Sequence, residues 1–162
     1  MNETNPADRL TILERREIEA RIAGPLIRGF QEELGPERTL EVVRRVITEL
    51  ARQSGEEMAK SLGEASLSAF ASCLDRWTAG EALEIEVLEQ NDQRLSYNVT
   101  RCRYAELYRA LGLADLGSSL SCQRDFALAE GFSPSISLTR TQTIMQGASH
   151  CDFRYRQGSP DD

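Results

Sequence analysis

The hydrophobic pattern changes its period near Gly80, and this change constrains the fold more than any other feature of the sequence. Before it, apolar residues recur about every 3.6 positions, which predicts helices from residue 7 to about residue 80. After it, residues 83–87 and 95–100 alternate apolar and polar side chains, which predicts two strands. The chain thus divides into a helical half, residues 1–80, and a half that contains strands, residues 81–156.

Glycine and proline residues are expected to divide the helical half. We expect helix breaks at Gly24-Pro25 and at Gly35-Pro36, with Pro36 in the first turn of the next helix. A third helical segment ends at Gly80. It places four apolar side chains on one face: Leu67, Phe70, Leu74 and Trp77.

The second half predicts a hairpin, two helices and two more strands. Turn residues at 89–93 favour an antiparallel hairpin, and Thr100 is expected to cap a helix over residues 101–111. Ser119 or Ser121 should cap a helix that starts at residue 120 or 121 and runs to residue 130, where Gly131 stops it. Strands over residues 135 to about 145 and 150–155 complete the sheet, and residues 157–162 form a frayed tail. The prediction is one α+β domain, residues 1–162, with N-terminal helical segments packed on a four-stranded antiparallel sheet.

Composition excludes several classes of function. The 26 acidic and 19 basic residues are interleaved and give a net charge of −7, which argues against nucleic acid as a partner. No apolar run approaches the roughly 18–20 residues of a membrane span, and residues 1–10 lack the pattern of a signal peptide. We therefore expect no membrane partner and a cytoplasmic location, in which the four widely spaced cysteines remain thiols.

Cys102 is the first candidate for chemistry. If Thr100 caps the helix, Cys102 lies in its first turn, where the helix dipole, Arg101 and Arg103 would favour a thiolate. The alternative is that Cys102 is a small residue of the core beneath the sheet.

Cys122 and Asp125 are three residues apart at the start of the next helix, so both side chains share a face. A thiol and a carboxylate would meet there. Alternatively, Asp125 only complements the helix N-terminus, which is an ordinary use of an acidic residue in a first turn.

The last predicted strand separates its polar and apolar side chains. Alternation places His150, Asp152 and Arg154 on one face. It places Cys151, Phe153 and Tyr155 on the other, toward the core or a pocket. His150 is therefore not automatically the base for its neighbour Cys151, and a surface or structural role is the alternative for this histidine.

Arg140 and Gln142 share a strand face with apolar residues, so a guanidinium is placed where the core is expected. Such a group needs a carboxylate, either Asp125 or Asp152 of the protein or the carboxylate of a ligand. A tetrahedral zinc site made of three cysteines and His150 is disfavoured because no close pair of ligands anchors it. We expect no metal.

Four motifs together identify a family resemblance. They are residues 98–104 (NVTRCRY), 122–125 (CQRD), 140–144 (RTQTI) with Gly147, and 151–154 (CDFR). In this order and spacing, over roughly residues 40–156, they resemble the L-2-amino-thiazoline-4-carboxylic acid hydrolase family. The resemblance implies a bacterial cytoplasmic hydrolase that opens a thiazoline ring at the amidine carbon between sulfur and nitrogen.

The chemistry assigns hypothetical roles. Cys151 or Cys122 would be the nucleophile and Asp125 would transfer protons or activate a water, with Cys102 as a further catalytic candidate. The substrate-binding candidates are Asn98, Arg140, Thr143, His150, Asp152 and Arg154, of which Arg140 or Arg154 would hold the carboxylate of a small substrate. No organic cofactor is expected.

Two other functions stay open. The domain could be a sensor that binds a small molecule or a metal without catalysis. Its helical half could also form the interface of a homo-oligomer.

Overall fold

A computed structural model describes residues 10–158 and contains helices packed on one antiparallel sheet. The helices are α1 (Ile12–Leu34), α2 (Pro36–Leu62), α3 (Leu67–Ser72), α4 (Asp75–Thr78), α5 (Arg103–Ala110), α6 (Ala114–Gly117) and α7 (Arg124–Phe132). The strands are β1 (Leu83–Gln90), β2 (Arg94–Cys102), β3 (Ile136–Thr139) and β4 (Cys151–Gln157), in the order β1-β2-β4-β3. The predicted α+β architecture is confirmed.

Helix α1 begins with a capping box and continues through Pro25. Thr11 Oγ1 accepts a hydrogen bond from the Glu14 N–H at 3.1 Å, and the Glu14 carboxylate accepts one from the Thr11 N–H at 2.7 Å. The break predicted at Gly24-Pro25 is wrong, because α1 continues through Pro25 to Leu34. Gly24 is buried against Leu113, and tertiary packing of this kind can outweigh the local cost of a proline in a helix. The predicted start of a new helix at Pro36 is confirmed. The part of the predicted helix over residues 7–9 lies outside the described residues.

The third helical segment is not continuous. It consists of α3, α4 and a 3₁₀ turn at Ala79–Glu81, in which Gly80 has a positive φ of 68°. The predicted apolar face is nevertheless present, because Leu67 and Phe70 are buried in a core cluster against which Leu74 and Trp77 pack.

The sheet presents one face to the helices. β2 pairs with β4 so that Tyr97 lies opposite Phe153 and Val99 opposite Cys151. The buried residues of these strands are Leu95, Tyr97, Val99, Cys151, Phe153 and Tyr155. The alternation predicted for both strands is therefore confirmed.

The strand predicted over residues 135–145 ends early, at Thr139. After Thr139, the N–H groups of Thr141 and Gln142 both donate to the Asp152 carboxylate at 2.9 Å. These two bonds take the place of the backbone hydrogen bonds that a longer strand would make. Thr143 then caps a 3₁₀ turn at Ile144–Gln146.

Three predicted helix boundaries are wrong. Cys102 rather than Thr100 is the N-cap of α5, since β2 extends to Cys102 and its sulfur accepts the Ala105 N–H at 3.4 Å. A π-helical turn at Ser118–Cys122 precedes α7, so no serine caps that helix. Gly131 lies within α7 because it packs against α2, where a Cβ on it would lie 2.1 Å from the Arg52 carbonyl oxygen.

The end of β4 corrects the prediction of a frayed tail. Gln157 belongs to this strand, and its side chain accepts the Leu67 N–H at 2.9 Å and donates to Ser135 Oγ at 2.7 Å. Residues 159–162 of the predicted tail lie outside the described residues.

Two hydrophobic clusters meet below the end of β2. One lies between the sheet, α2, α3 and α7, and the other between α1, α5 and α6. Cys102 and Ile144 pack against both clusters. Within residues 10–158, no helix combines the length and the apolar character that a bilayer crossing requires.

Candidate functional site

A cavity of about 80 Å³ lies where the buried face of the sheet meets α7. Its lining includes three of the four cysteines, one acid and one arginine that the sequence singled out: Cys102, Cys122, Asp125, Arg140 and Cys151. They come from four separate segments of the chain, since only Cys122 and Asp125 are close in sequence. The fold therefore gathers the thiols, Asp125 and Arg140 around one hollow.

The strands and helix α7 explain this convergence. Because β2 pairs antiparallel with β4, the end of β2 at Cys102 lies near the start of β4 at Cys151. The π-helical turn ends at Cys122, and Asp125 follows in the first turn of α7, so both side chains reach the cavity as their spacing predicted.

Arg140 is held by the protein itself. Its side chain is only 6 % exposed, it forms an ion pair and hydrogen bond with Asp125, and it donates to the Cys122 carbonyl at 2.9 Å. The guanidinium also lies 5.0 Å from the Phe126 ring centroid and 5.1 Å from that of Phe153. Of the three carboxylates proposed for this arginine, Asp125 is its partner.

Burial controls the acid–base properties of the cavity. It raises the pKa of Asp125, although the paired Arg140 guanidinium opposes that rise. Burial, assisted by the negative charge of Asp125, raises the pKa of Cys122 to about 12. The pKa of Cys102 rises to about 11, also through burial, so the helix N-terminus does not produce the activated thiolate expected there.

Among the three thiols of the cavity, Cys151 has the most favourable surroundings for a thiolate. Burial raises its pKa, but the Ile144 N–H, which donates to its sulfur at 3.2 Å, and the Arg140 guanidinium both act in the opposite direction. A hydrogen bond to sulfur and a neighbouring positive charge are the two features that stabilise thiolates in proteins.

Two further arginines line the cavity, and sequence reasoning gave neither a role. Arg16 comes from α1 and Arg124 from α7, and their side chains are 16 % and 13 % exposed. Glu19 accepts hydrogen bonds from both, at 2.8 Å from Arg16 and 3.1 Å from Arg124. Arg124 stands inside the CQRD motif, which is a signal for it, whereas Arg16 is one of many alternating charges on α1.

Three of the predicted substrate-binding residues lie on the opposite face of the sheet. Asn98 and Asp152 are directly opposite each other on β2 and β4. Arg154 donates to Asn98 Oδ1 at 2.9 Å and to the Tyr97 carbonyl at 2.8 Å. None of the three lines the cavity.

The Asp152 carboxylate accepts hydrogen bonds that have a structural role. Besides the two backbone N–H groups, it accepts the Thr141 hydroxyl at 2.6 Å. Burial acts to raise the pKa of Asp152, but these hydrogen bonds outweigh it and lower the pKa. Asp152 therefore holds the segment that follows Arg140.

His150 and Thr143 also lie outside the cavity lining. The His150 carbonyl accepts a hydrogen bond from Gln142 Nε2 at 3.0 Å, and the His150 ring contacts Ser149 Oγ at 3.0 Å. Thr143 is buried and bonds to Gln146 through its hydroxyl. Both residues order the turn between Arg140 and Cys151.

Metal ligands are not grouped in the part of the chain that the structure describes. Among residues 10–158, no three side chains of His, Cys, Asp or Glu are arranged to hold a metal ion. The fourth cysteine, Cys73, is buried in the core away from the cavity lining.

Comparisons with known proteins bear on both the family and the fold. No curated protein sequence matches the chain. The solved structures with a similar fold include the phenol-responsive sensory domain of the transcription activator PoxR, determined with phenol. That structure is 15 % identical in sequence with a TM-score of 0.51, over 91 % of this chain and 76 % of the other.

The family assignment rests on the sequence itself. The sequence model of the L-2-amino-thiazoline-4-carboxylic acid hydrolases matches residues 15–155, which include Arg16 of α1 and all four sequence motifs. The match begins about 25 residues before the region of roughly residues 40–156 that the motifs predicted, and it ends with that region. The chain therefore belongs to the L-2-amino-thiazoline-4-carboxylic acid hydrolase family.

Proposed function

We propose that this protein is a hydrolase that opens a small cyclic amidine or thiazoline carboxylic acid by attack on its C=N carbon. The observation that carries the proposal is the grouping of Cys102, Cys122, Cys151 and Asp125 around one cavity together with guanidinium groups. The family to which the chain belongs supports the same reaction class. The chemistry needs only groups of the protein and water, without an organic cofactor.

The size and charge of the cavity favour a small carboxylic acid. A volume of about 80 Å³ is well below the roughly 300–1,000 Å³ of sites for drug-sized ligands, so the substrate of this cavity must be small. Asp125 neutralises Arg140, and Glu19 is shared by Arg16 and Arg124, so these five described residues together carry one positive charge in excess. We assign the substrate carboxylate to Arg16 and Arg124 rather than to Arg154, which lies on the other face of the sheet.

Cys151 is the nucleophile of this proposal, since it is the thiol with a hydrogen-bond donor and a guanidinium acting to lower its pKa. Asp125 lines the same cavity and would accept the thiol proton, because a carboxyl whose pKa is raised by burial is a stronger base. Activation of a water by Asp125 for direct attack is the alternative within the same site.

The bonds change in two steps. The Cys151 sulfur forms a bond to the amidine carbon, the ring C–S bond of that carbon breaks, and the departing sulfur takes a proton to become a free thiol. Water then attacks the same carbon, the bond to Cys151 breaks, and the thiol of Cys151 is restored. The product is an open-chain carbamoyl compound that carries the new thiol.

The proposal is tested with a panel of thiazoline and cyclic-amidine carboxylic acids in large excess over the protein. The release of new thiol and the mass of the product are measured. Cys151→Ala should lower kcat/KM by at least about 10³-fold, and Asp125→Asn by about 10²-fold or more, as expected for a nucleophile and a general base.

Cys73 offers a matched control. It and Cys151 are both 6 % exposed, but Cys73 does not line the cavity. Cys73→Ala should therefore retain the parent kcat/KM. Parent rates in folded Cys151→Ala would remove the covalent mechanism, and no turnover of any member of the panel would remove the proposed reaction.

A second candidate function is a sensor domain that binds a small molecule without catalysis. The similar fold of the phenol-responsive sensory domain favours it, as do the apolar side chains that complete the cavity, among them Trp77, Leu83 and Phe153. Calorimetric binding of a panel compound without turnover would support this function. About one zinc per purified chain would support its metal-binding form.

A further inference from the structure

Helix α1 exposes an apolar ridge on the outside of the molecule. Its members recur every four residues and are 51–63 % exposed: Ile18, Ile22, Leu26, Phe30 and Leu34. Side chains at this spacing form a ridge that runs along the helix at an inclination to its axis. A helix that buries nothing on this face would show polar residues there.

Helix α2 extends the same apolar surface. Val42, Val46 and Leu50 are also spaced by four residues and are 43–48 % exposed. Together with the ridge of α1 they form what we call the α1–α2 face. Eight large side chains that are each about half exposed present on the order of 700 Å² of apolar area, more than monomers usually expose in one patch.

The α1–α2 face contains a groove beside the ridge. The groove encloses about 590 Å³ between residues 19–26 of α1 and residues 47–57 of α2, and Tyr108 and Leu120 also line it. Ile22 and Leu26 belong to both the ridge and the groove wall. Polar side chains line part of the groove as well, among them Glu19, Glu57 and Arg124. A surface that carries both a ridge and a groove can pair with itself through a two-fold axis.

Gly29 gives an independent sign of a close neighbour. It lies inside α1, where glycine is destabilising relative to alanine, and a Cβ on it would meet no atom of residues 10–158 within 4 Å. By contrast, Gly24 of the same helix is buried against Leu113. Glycine at position 29 would allow a second helix to approach the backbone of α1 closely from outside.

We infer that a second copy of this chain covers the α1–α2 face, with α1 of each protomer lying along the groove of the other. The apolar area of the face is close to the roughly 800 Å² per partner of a standard protein interface. The dimer would also cover Arg124 from outside, since Arg124 lines both the groove and the cavity.

Sedimentation velocity of the full chain from 1 to 100 µM tests the inference. The parent should sediment as a dimer, and Ile22→Glu and Phe30→Glu should each raise the dimer dissociation constant at least 100-fold while the circular dichroism stays unchanged. Two variants are used so that the loss of one to misfolding still leaves a measurement.

Leu88→Glu is the matched control. Leu88 is 51 % exposed, like the ridge residues, but it lies on the edge strand β1. The dimer dissociation constant of Leu88→Glu should therefore stay within about twofold of the parent value. A parent that is monomeric at 100 µM would overturn the inference. A dimer that both ridge variants leave intact, or an assembly of more than two chains, would overturn it as well.

Discussion

The Arg140–Asp125 pair is the residue-scale feature on which the cavity depends. Arg140 is 6 % exposed, so removal of the Asp125 carboxylate leaves the buried guanidinium without a compensating charge. We expect Asp125→Asn and Arg140→Met each to lower the free energy of unfolding by about 3 kcal/mol or more. Urea denaturation followed by circular dichroism measures both.

The double variant distinguishes an ion pair from two independent residues. Asp125→Asn combined with Arg140→Met removes both charges, so its cost should be at least about 2 kcal/mol less than the sum of the single costs. Equal values for the double variant and the sum would show that the two side chains do not stabilise each other.

The three cavity thiols should differ in reactivity. With pKa values of about 11 for Cys102 and about 12 for Cys122, their thiolate fractions at pH 8 are about 100-fold or more below that of a free cysteine. Iodoacetamide should therefore modify Cys151 first among the three, as followed by peptide mass spectrometry. Modification of Cys122 at the rate of Cys151 would contradict the environment described for both.

At the scale of elements, two glycines fix the contact between α2 and α7. A Cβ on Gly55 would lie 2.2 Å from the Leu128 carbonyl oxygen, and one on Gly131 would lie 2.1 Å from the Arg52 carbonyl oxygen. Because both obstacles are backbone atoms, Gly55→Ala or Gly131→Ala should force the helices apart and cost about 1–3 kcal/mol. Thermal unfolding measures the loss, and Glu56→Ala, an exposed neighbour of Gly55, should be nearly neutral.

The elements also show how far local pattern predicts structure. The alternation in β2 and β4 and the start of α2 at Pro36 were predictable, because they depend on side chains a few residues apart. In β1 the alternation holds for Leu83 and Ile85 but not for Val87, which is exposed. The continuity of α1 through Pro25 was not predictable from local pattern, because the neighbouring Gly24 packs against Leu113, which is distant in sequence. The early end of β3 likewise depends on Asp152 of another strand.

At the scale of the whole molecule, the site was predictable in part for the same reason. The shared face of Cys122 and Asp125 and the inward direction of Cys151 follow from local periodicity. The placement of Asn98 and Arg154 on the far face follows from alternation too, once Cys151 is known to face inward. The position of Arg16 in the cavity does not follow from alternation, because it depends on how the helical half of the chain packs on α7.

The buried thiols and phenols together predict instability of the whole molecule at alkaline pH. Burial raises the pKa of Cys102 to about 11 and those of Cys122 and Tyr108 to about 12, and it also raises the pKa of Tyr97 and Tyr155. In the unfolded chain, thiols and phenols titrate near about 8.5 and 10. Since the folded values are the higher ones, the stabilisation is complete below about pH 8.5 and is lost as the pH rises toward the folded values.

Each such group removes about 1.4 kcal/mol per pH unit while it is ionised only in the unfolded chain. We therefore expect the free energy of unfolding from urea titrations at constant ionic strength to be level from pH 7 to 8 and to fall steeply above pH 9. Cys122→Ala should make that fall shallower by about the contribution of one group, whereas Glu56→Ala should leave the slope as it is. A free energy of unfolding that stays level up to pH 10.5 would mean that these thiols and phenols are not buried in solution.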